Sequence, residues 1–321
     1  MRVLFLGSGA FGLPTLRAIA DHHQLVGVVT QPDKPAGRSR KLTPTPIGVW
    51  AQEHTPGVSL EKPASVNEES VRDRLRAIEA DAWVVIAFGQ KLGKALLADR
   101  FAVNLHASRL PRWRGAAPIH AAVLAGDTET GNSVITLAER MDAGLILGQS
   151  RRPIEAHQTS GDLHDLLAED GPELMLDVLA RHEAGTLEPM TQDEARVTLA
   201  GKLSKGDGWA DFAGEADGVR RRVQGLNPWP GVTVTFRGEP LKLHRVEVAG
   251  GGPETRTRPG SFLDPALGLV TCGSGVIRLI EVQPAGRKPM PYADFARGSR
   301  PEAGETLAFE AGTTHPEPRT R

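Results

Sequence analysis

The sequence predicts an α/β protein, with a parallel, helix-covered sheet in the first part of the chain and a small antiparallel barrel or sandwich in the second. Three observations carry this. Short, near-continuous apolar runs such as RVLFLG and QLVGVVT alternate with stretches of helical period as far as Gly185. Strands that are apolar on both faces belong in a sheet covered on both sides, which is how parallel sheets are built. Beyond Leu187 the chain turns polar and weakly periodic, and from Gly208 onward come brief alternating runs punctuated by glycine, GVTVTFRGEPLKLHRVEVAGG and GLVTCGSGVIRLIEVQP among them, as in small barrels and sandwiches. At 321 residues the chain has length for two cores.

The first strand, Arg2–Gly7, ends in glycine and opens onto the helical pattern LPTLRAIADHH. Gln24–Thr30 is a second buried-type strand. Thr30–Pro46, TQPDKPAGRSRKLTPTP, is a basic loop whose prolines and glycine keep it from joining the sheet, and a helix follows it. Val66–Ala80, VNEESVRDRLRAIEA, reads as a helix. Asp81–Gly89 and Phe101–His106 are the next strands, separated by a short helix at Lys91–Asp99; Asp81 reads as a structural cap. Pro118–Gly126, Ser133–Glu139 and Ser160–Gly185 complete the alternation. The expected divisions are a first domain at 1–187, a polar linker at 188–206, a barrel at 207–312 and a disordered tail at 313–321.

Composition narrows the function classes. A formal net charge of -1 predicts no general affinity for polyanions, so nucleic-acid contact must come from local patches. The single cysteine, Cys272, excludes disulfides within the chain and cysteine-based zinc sites, and fits a reducing cytosol. The start, MRVLFLGSG, lacks the apolar segment of a signal peptide, and no run approaches the ~18–20 apolar residues of a membrane span. The expectation is a soluble, cytoplasmic protein without a metal centre, since the histidines show no H-E-x-x-H or comparable spacing.

Gly7-Ser-Gly9-Ala-Phe-Gly12 follows a strand and opens a helix, so it matches the dinucleotide pattern G-x-G-x-x-G. That pattern needs an acid at the end of the second strand to bond the ribose. Here the strand ends Val29-Thr30-Gln31-Pro32, with Asp33 beyond the proline. A tight strand-to-helix turn is the simpler reading, and an NAD-dependent oxidoreductase is the alternative.

In parallel sheets, ligands bind beyond the carboxyl ends of the strands. One such end, FAVNLH, carries Asn104 and His106 two residues apart and therefore on one side. The loop ERMDAGLI (139–146) adds the carboxylate of Asp142, with Gly144 just behind it. An amide, an imidazole and a carboxylate together suit a tetrahedral oxyanion and the proton traffic around it. No protein nucleophile accompanies them: Ser108 lies outside any G-x-S-x-G elbow, and Cys272 is in the other domain. Such a set suits direct attack by a substrate amine.

The run NLHASRLPRWRG resembles the N-x-H-x-S-x-L-P-x-[WY]-R-G signature of the folate-dependent formyltransferases. Its longer form, SRLPRWRGAAPI, is similar to the branch that acts on methionyl-initiator tRNA. Arg109 departs from the leucine usual before Leu-Pro, and Met-Asp-Ala-Gly differs from the common Leu-Asp-Thr-Gly. The resemblance covers about Arg2 to Phe309 and implies a Rossmann-like formyltransferase N-terminal domain with a small, OB-like C-terminal β-barrel. It implies Asn104, His106 and Asp142 as catalytic, with 10-formyltetrahydrofolate as formyl donor. The pterin slot would be built from backbone and apolar groups of Ile86, Phe88, Gly89, Gln90 and Leu92 and from the turn Leu110, Pro111, Arg112 and Trp113. The partner implied is the acceptor stem of methionyl-initiator tRNA, bound by a monomer. The basic loop is similar to the tRNA-facing loop of that branch and carries Lys34, Arg38, Arg40 and Lys41 with no acid after Asp33. Arg220, Arg221 and Arg222 precede the barrel and suit RNA phosphates, and the arginines flanking Trp113 add charge near the same substrate. Three other readings stay open: the same chemistry on a sugar-nucleotide amine or on glycinamide ribonucleotide, the oxidoreductase, and a non-catalytic RNA-binding protein.

Overall fold

A computed structural model describes residues 1–36, 41–250 and 257–308. The chain divides into two compact units, the first formed by 1–118, 130–152 and 164–199 and the second by 119–129, 153–163 and the remainder from Ala200. Residues 188–199, which read as the start of a linker, thus group with the first unit. The short segments 119–129 and 153–163 group with the second. Arg221 donates to Ala125 O and Arg220 to Ala156 O, and these bonds tie both segments to the second unit.

The first unit is built on seven strands: β1 Arg2–Gly7, β2 Gln24–Val29, β3 Ser59–Glu61, β4 Ala82–Ile86, β5 Ala102–His106, β6 Ser133–Thr136 and β7 Ile146–Gln149. Their spatial order is β3-β2-β1-β4-β5-β6-β7. The first five in that order run parallel. The sheet is not wholly parallel, as the alternation predicted, because β6 is antiparallel to β5 and β7 to β6. Ser133 pairs with His106, so β6 starts where β5 ends and runs back beside it. A parallel neighbour would require the connection to carry the chain back to the opposite end of β5 before re-entering the sheet.

Helices α1 Leu13–His22, α2 Pro46–His54, α3 Glu69–Ala77 and α4 Lys94–Leu97 follow the predicted positions. Thr45 caps α2 by accepting the Gly48 N–H at 3.0 Å, with Pro46 at the first helical position. α5 spans Pro118–Ala125 and α6 spans Ser160–Glu183. In α6, Gly171 lies so close to Leu105 that a Cβ would stand 2.8 Å from its side chain, which seats the helix on the face of β5 opposite Asn104 and His106. One core packs Leu4, Leu6, Trp83 and Val85 against Val71 and Leu75 of α3.

The basic loop forms its own small hairpin, Lys34–Ala36 against Lys41–Thr43, separate from the seven-stranded sheet. Arg38 and Arg40 lie outside the described residues, as does the tail at 313–321.

Beyond Ala200 the second unit carries helix α7, Ala216–Gly225, then β8 Val232–Phe236, β9 Glu239–Ala249, β10 Phe262–Asp264, β11 Leu269–Thr271, β12 Val276–Pro284, β13 Met290–Pro291, α8 Tyr292–Ser299 and β14 Leu307–Ala308. The antiparallel order is β10-β11-β12-β9-β8-β14, with β13 on β12. The two ends meet, since Phe262 N–H donates to Glu305 O and Leu307 N–H to Gly260 O, both at 2.8 Å. The sheet so curls into the predicted small barrel, filled by Phe236, Phe262, Tyr292 and Phe295. Among the described residues no helix is long and apolar enough to cross a membrane.

Candidate active site

His106 ends β5 with its side chain 7 % exposed, and Asn104 stands two residues earlier on the same face. Nε2 of His106 lies 2.9 Å from the carbonyl oxygen of Trp113, so that nitrogen is the donor. Nδ1 faces Oδ2 of Asp142 at 3.6 Å. The side-chain amide of Asn104 is half-buried and has no hydrogen-bond partner among the described residues. His106 thus has one ring nitrogen committed and the other facing a carboxylate, and Asn104 adds an open amide on the same strand face. One detail differs from expectation: the Nε2–H of His106 is spent on Trp113 rather than aimed at an oxyanion.

Asp142 sits in the hairpin loop between β6 and β7, 15 % exposed and with a left-handed φ of 53°. Its Oδ2 accepts the Gly115 N–H at 2.8 Å. Gly144 is required there by space, since a Cβ would stand 1.7 Å from Thr136 O.

The loop after β5 is laid over the same face of the sheet. Leu110 is buried with Ile135 and Ile146. The Leu110–Pro111 bond is cis. Ser133 Oγ donates to Ser108 O at 2.6 Å and accepts the Leu110 N–H, while Gln149 Nε2 donates to Leu110 O. Ser108 is wholly buried and donates to Arg112 O, a loop-closing role and not a nucleophile's. The loop thus brings Leu110, Pro111, Arg112 and Trp113 beside the trio, with the Arg112 guanidinium 4.8 Å from the Trp113 ring centre. Arg109 lies with its stem against Gly131.

The other expected wall, Ile86 to Leu92, turns sharply through Ala87 at φ 46° and Gly89 at φ 82°. Ile86 and Phe88 point their side chains into the core, and Leu92 packs against it. Gln90 is tied at both ends, accepting Val66 N–H and donating to Pro63 O. Outward it presents the backbone of Ala87 and Gly89, the Lys91 side chain and one side of Leu92. The glycine pattern beside it is a strand-to-helix turn: Ser8 Oγ donates to Phe88 O and accepts the Gln31 N–H. Gln31 Nε2 also donates to Phe88 O, so the position where an NAD-binding acid would stand closes the turn instead.

The basic residues divide. Lys34 and Lys41 are exposed on the hairpin, and Asp33 is taken up by Lys62 at 2.7 Å. Arg220 pairs with Asp217, Ala156 O and Gln224, and Arg221 with Asp217 and Ala125 O. Arg222 stacks 3.5 Å from the Trp209 ring centre and donates to Trp209 O and Asp207 O, and burial lowers its pKa. All three arginines hold protein partners. Of the two arginines flanking Trp113, Arg112 is exposed, but Arg114 is buried against Gln192 and Glu194 and offers no charge outward, contrary to the sequence reading. Asp81 accepts both the backbone and the guanidinium of Arg2, the structural cap expected of it.

Sequence reasoning missed Gln192. It is 5 % exposed and donates to the backbone oxygens of Asp142 and Gly144 at 2.7 and 2.8 Å. A lone glutamine in a polar, aperiodic stretch carries no signal of burial in one sequence. Tertiary pairing on both sides brings it there: Met190 exchanges backbone bonds with Ile146, and Thr198 takes Trp113 N–H on Oγ1 and Arg114 N–H on its carbonyl.

Comparison with known proteins adds a second line of observation. Residues 1–179 match the family model described as formyl transferase, and residues 202–300 match the formyl transferase C-terminal domain. The chain is similar to the methionyl-tRNA formyltransferase of Methylococcus capsulatus, 42% identical over 299 residues, covering 92% of this chain and 96% of the relative. It is similar to the methionyl-tRNA formyltransferase of Salinispora tropica, 43% identical over 312 residues, covering 96% of this chain and all (100%) of the relative. In fold it is similar to an N-formyltransferase from Helicobacter canadensis solved with folinic acid and dTDP-3-aminofucose. That match has a TM-score of 0.66 at 13% identity and covers 86% of this chain and 98% of the other.

Proposed function

The chain belongs to the methionyl-tRNA formyltransferase family, and from that premise we propose that Asn104, His106 and Asp142 carry formyl transfer from 10-formyltetrahydrofolate to the free amino group of methionyl-initiator tRNA, for translation initiation. The single observation that supports this assignment of residues is the convergence of the unpartnered Asn104 amide with the His106–Asp142 pair. That donor set fits a carbonyl under attack by an amine.

The folate co-substrate supplies an activated formyl carbon. The backbone of Ala87–Gly89, the turn Leu110–Trp113 and the exposed side of Leu92 would hold it, with the side chains of Ile86, Phe88 and Gln90 supporting that wall from behind. Asn104 donates to the formyl oxygen as negative charge develops on it, a contribution of about 3–4 kcal/mol to lowering the barrier. His106, its Nε2–H fixed on Trp113 O, presents Nδ1 as the base that takes the amine's proton. Asp142, beside Nδ1, stabilises the imidazolium so formed. The bond to the amine nitrogen forms, the bond to the folate nitrogen breaks, and the proton held on His106 is available to that leaving nitrogen.

The RNA is read through its acceptor stem by a monomer working in the cytoplasm. The hairpin carrying Lys34 and Lys41, with Arg38 and Arg40 between them in sequence, is the main phosphate contact. Arg220, Arg221 and Arg222 contribute through what their protein partners leave of their charge.

The test is formyl transfer from 10-formyltetrahydrofolate to methionyl-initiator tRNA, beside uncharged tRNA, free methionine and a 4-amino sugar nucleotide. Transfer to the charged initiator alone is expected. Transfer to the sugar nucleotide instead would keep the chemistry and remove the role given to the hairpin.

A further inference from the structure

Behind the reacting groups lies a clamp that no step of the transfer uses. Every hydrogen-bonding atom of the Gln192 side chain is committed. Nε2 donates one hydrogen to Asp142 O and the other to Gly144 O. Oε1 accepts from Nε of Arg114 at 2.9 Å, which fixes the direction in which the amide faces. Arg114, itself 5 % exposed, passes Nη2 to Oε1 of Glu194 at 2.9 Å, and Arg140 reaches the same oxygen at 2.8 Å. The residue after Arg114 is Gly115, whose N–H holds the Asp142 carboxylate.

Two segments joined by the Arg114–Gln192 bond therefore grip Asp142, one through its backbone by way of Gln192 and the other through its carboxylate by way of Gly115. The grip has a purpose set by the backbone. Asp142 carries a left-handed φ, which a non-glycine residue keeps only where its surroundings impose it. Gly144 supplies the space for the turn, and Gln192 supplies the two donors that tie the carbonyls on either side of Ala143.

We infer that Gln192, oriented by Arg114, is a positioning residue that holds Asp142 against Nδ1 of His106. This rests on the catalytic roles given above. Without the two donors, the turn relaxes and the carboxylate leaves the imidazole, although substrate contacts elsewhere persist.

The decisive variant is Gln192→Glu, which keeps the shape and the Arg114 partner but replaces a double donor with an acceptor; Gln192→Ala accompanies it. For correctly folded enzyme, counted by active-site titration, kcat should fall about 100-fold, the scale expected of a ~1 Å misplacement, with the KM values little changed. In an Asp142→Asn background the same substitution should cost less than about threefold, because the two act as one unit. Unchanged kcat in Gln192→Glu, or an equal loss in both backgrounds, overturns the proposal. A second readout needs no turnover: the Gly115 amide should exchange its hydrogen at least ~10-fold faster in Gln192→Glu than in the wild type. Unaltered exchange also overturns the clamp. If the wild type makes no formylmethionyl-tRNA at all, the functional reading has failed, and the exchange arm alone decides whether Gln192 positions Asp142.

Discussion

Oδ2 of Asp142 lies 3.6 Å from Nδ1 of His106 while it accepts the Gly115 N–H at 2.8 Å. The carboxylate is held by a backbone donor and still faces the imidazole, so it is placed to steady a proton there without moving. Because Trp113 O fixes the other ring nitrogen, the pair has one direction in which to work.

Removing either member should therefore act on kcat. His106→Ala and Asp142→Asn are each expected to lower kcat by about 10²–10⁴-fold, the usual worth of positioned acid–base catalysis. Folate binding, followed by fluorescence titration, should stay within a few-fold of wild type. A variant that keeps full kcat excludes that residue from the proton pathway.

Asn104→Ala should cost about 10²–10³-fold in kcat, corresponding to one lost oxyanion donor. Asn104→Asp, which replaces the donor with an anion, should be no better. If steady-state kinetics instead show a raised KM with intact kcat, Asn104 binds substrate and does not stabilise the transition state.

Charge on the hairpin should be read in salt dependence. Lys34→Ala and Lys41→Ala are each expected to weaken tRNA binding and to reduce the slope of log K against log salt by about 1. Both lysines are exposed, so thermal stability should not change. Unaltered slopes in both variants would move the RNA contact away from this hairpin.

Gly144→Ala forces a Cβ to within 1.7 Å of Thr136 O, and backbone has to shift to relieve it. A loss of about 1–3 kcal/mol in stability is expected from such overpacking, together with activity, because the displaced turn carries Asp142. Denaturant unfolding and single-turnover transfer measured on the same preparation check both.

The second unit holds a pH-dependent element of its own. Burial pushes the Asp162 carboxyl up, but hydrogen bonds from Arg245 and Thr159 more than offset this and bring it down to about 2. A carboxyl held below its unfolded value stabilises the fold above that value, and the benefit fades as pH falls from about 4 towards 2. Asp162→Asn should flatten the acid unfolding curve in that window. A curve as steep as the wild type's would show that Asp162 is not the group titrating there.

Much of this molecule is written locally. The apolar runs fixed β1, β2, β4 and β5 to within a residue or a few at each end, because a strand apolar on both faces has few alternatives to burial. Asn104 and His106 were legible because two residues on one strand share a face, and the carboxyl end of a parallel strand is where a crevice opens. Tertiary structure decided the rest. The reversal of β6 depends on where the chain re-enters the sheet, which neither the composition nor the period of Ser133–Thr136 records. Arg114 reads as surface charge until Gln192 and Glu194 close over it, and Gln192 reads as linker until Thr198 pairs with the signature loop. Polar side chains carry no periodic mark of burial, and their partners lie far away in sequence. The sequence by itself marked the groups proposed for the chemistry, and only the folded chain determined what holds them in place.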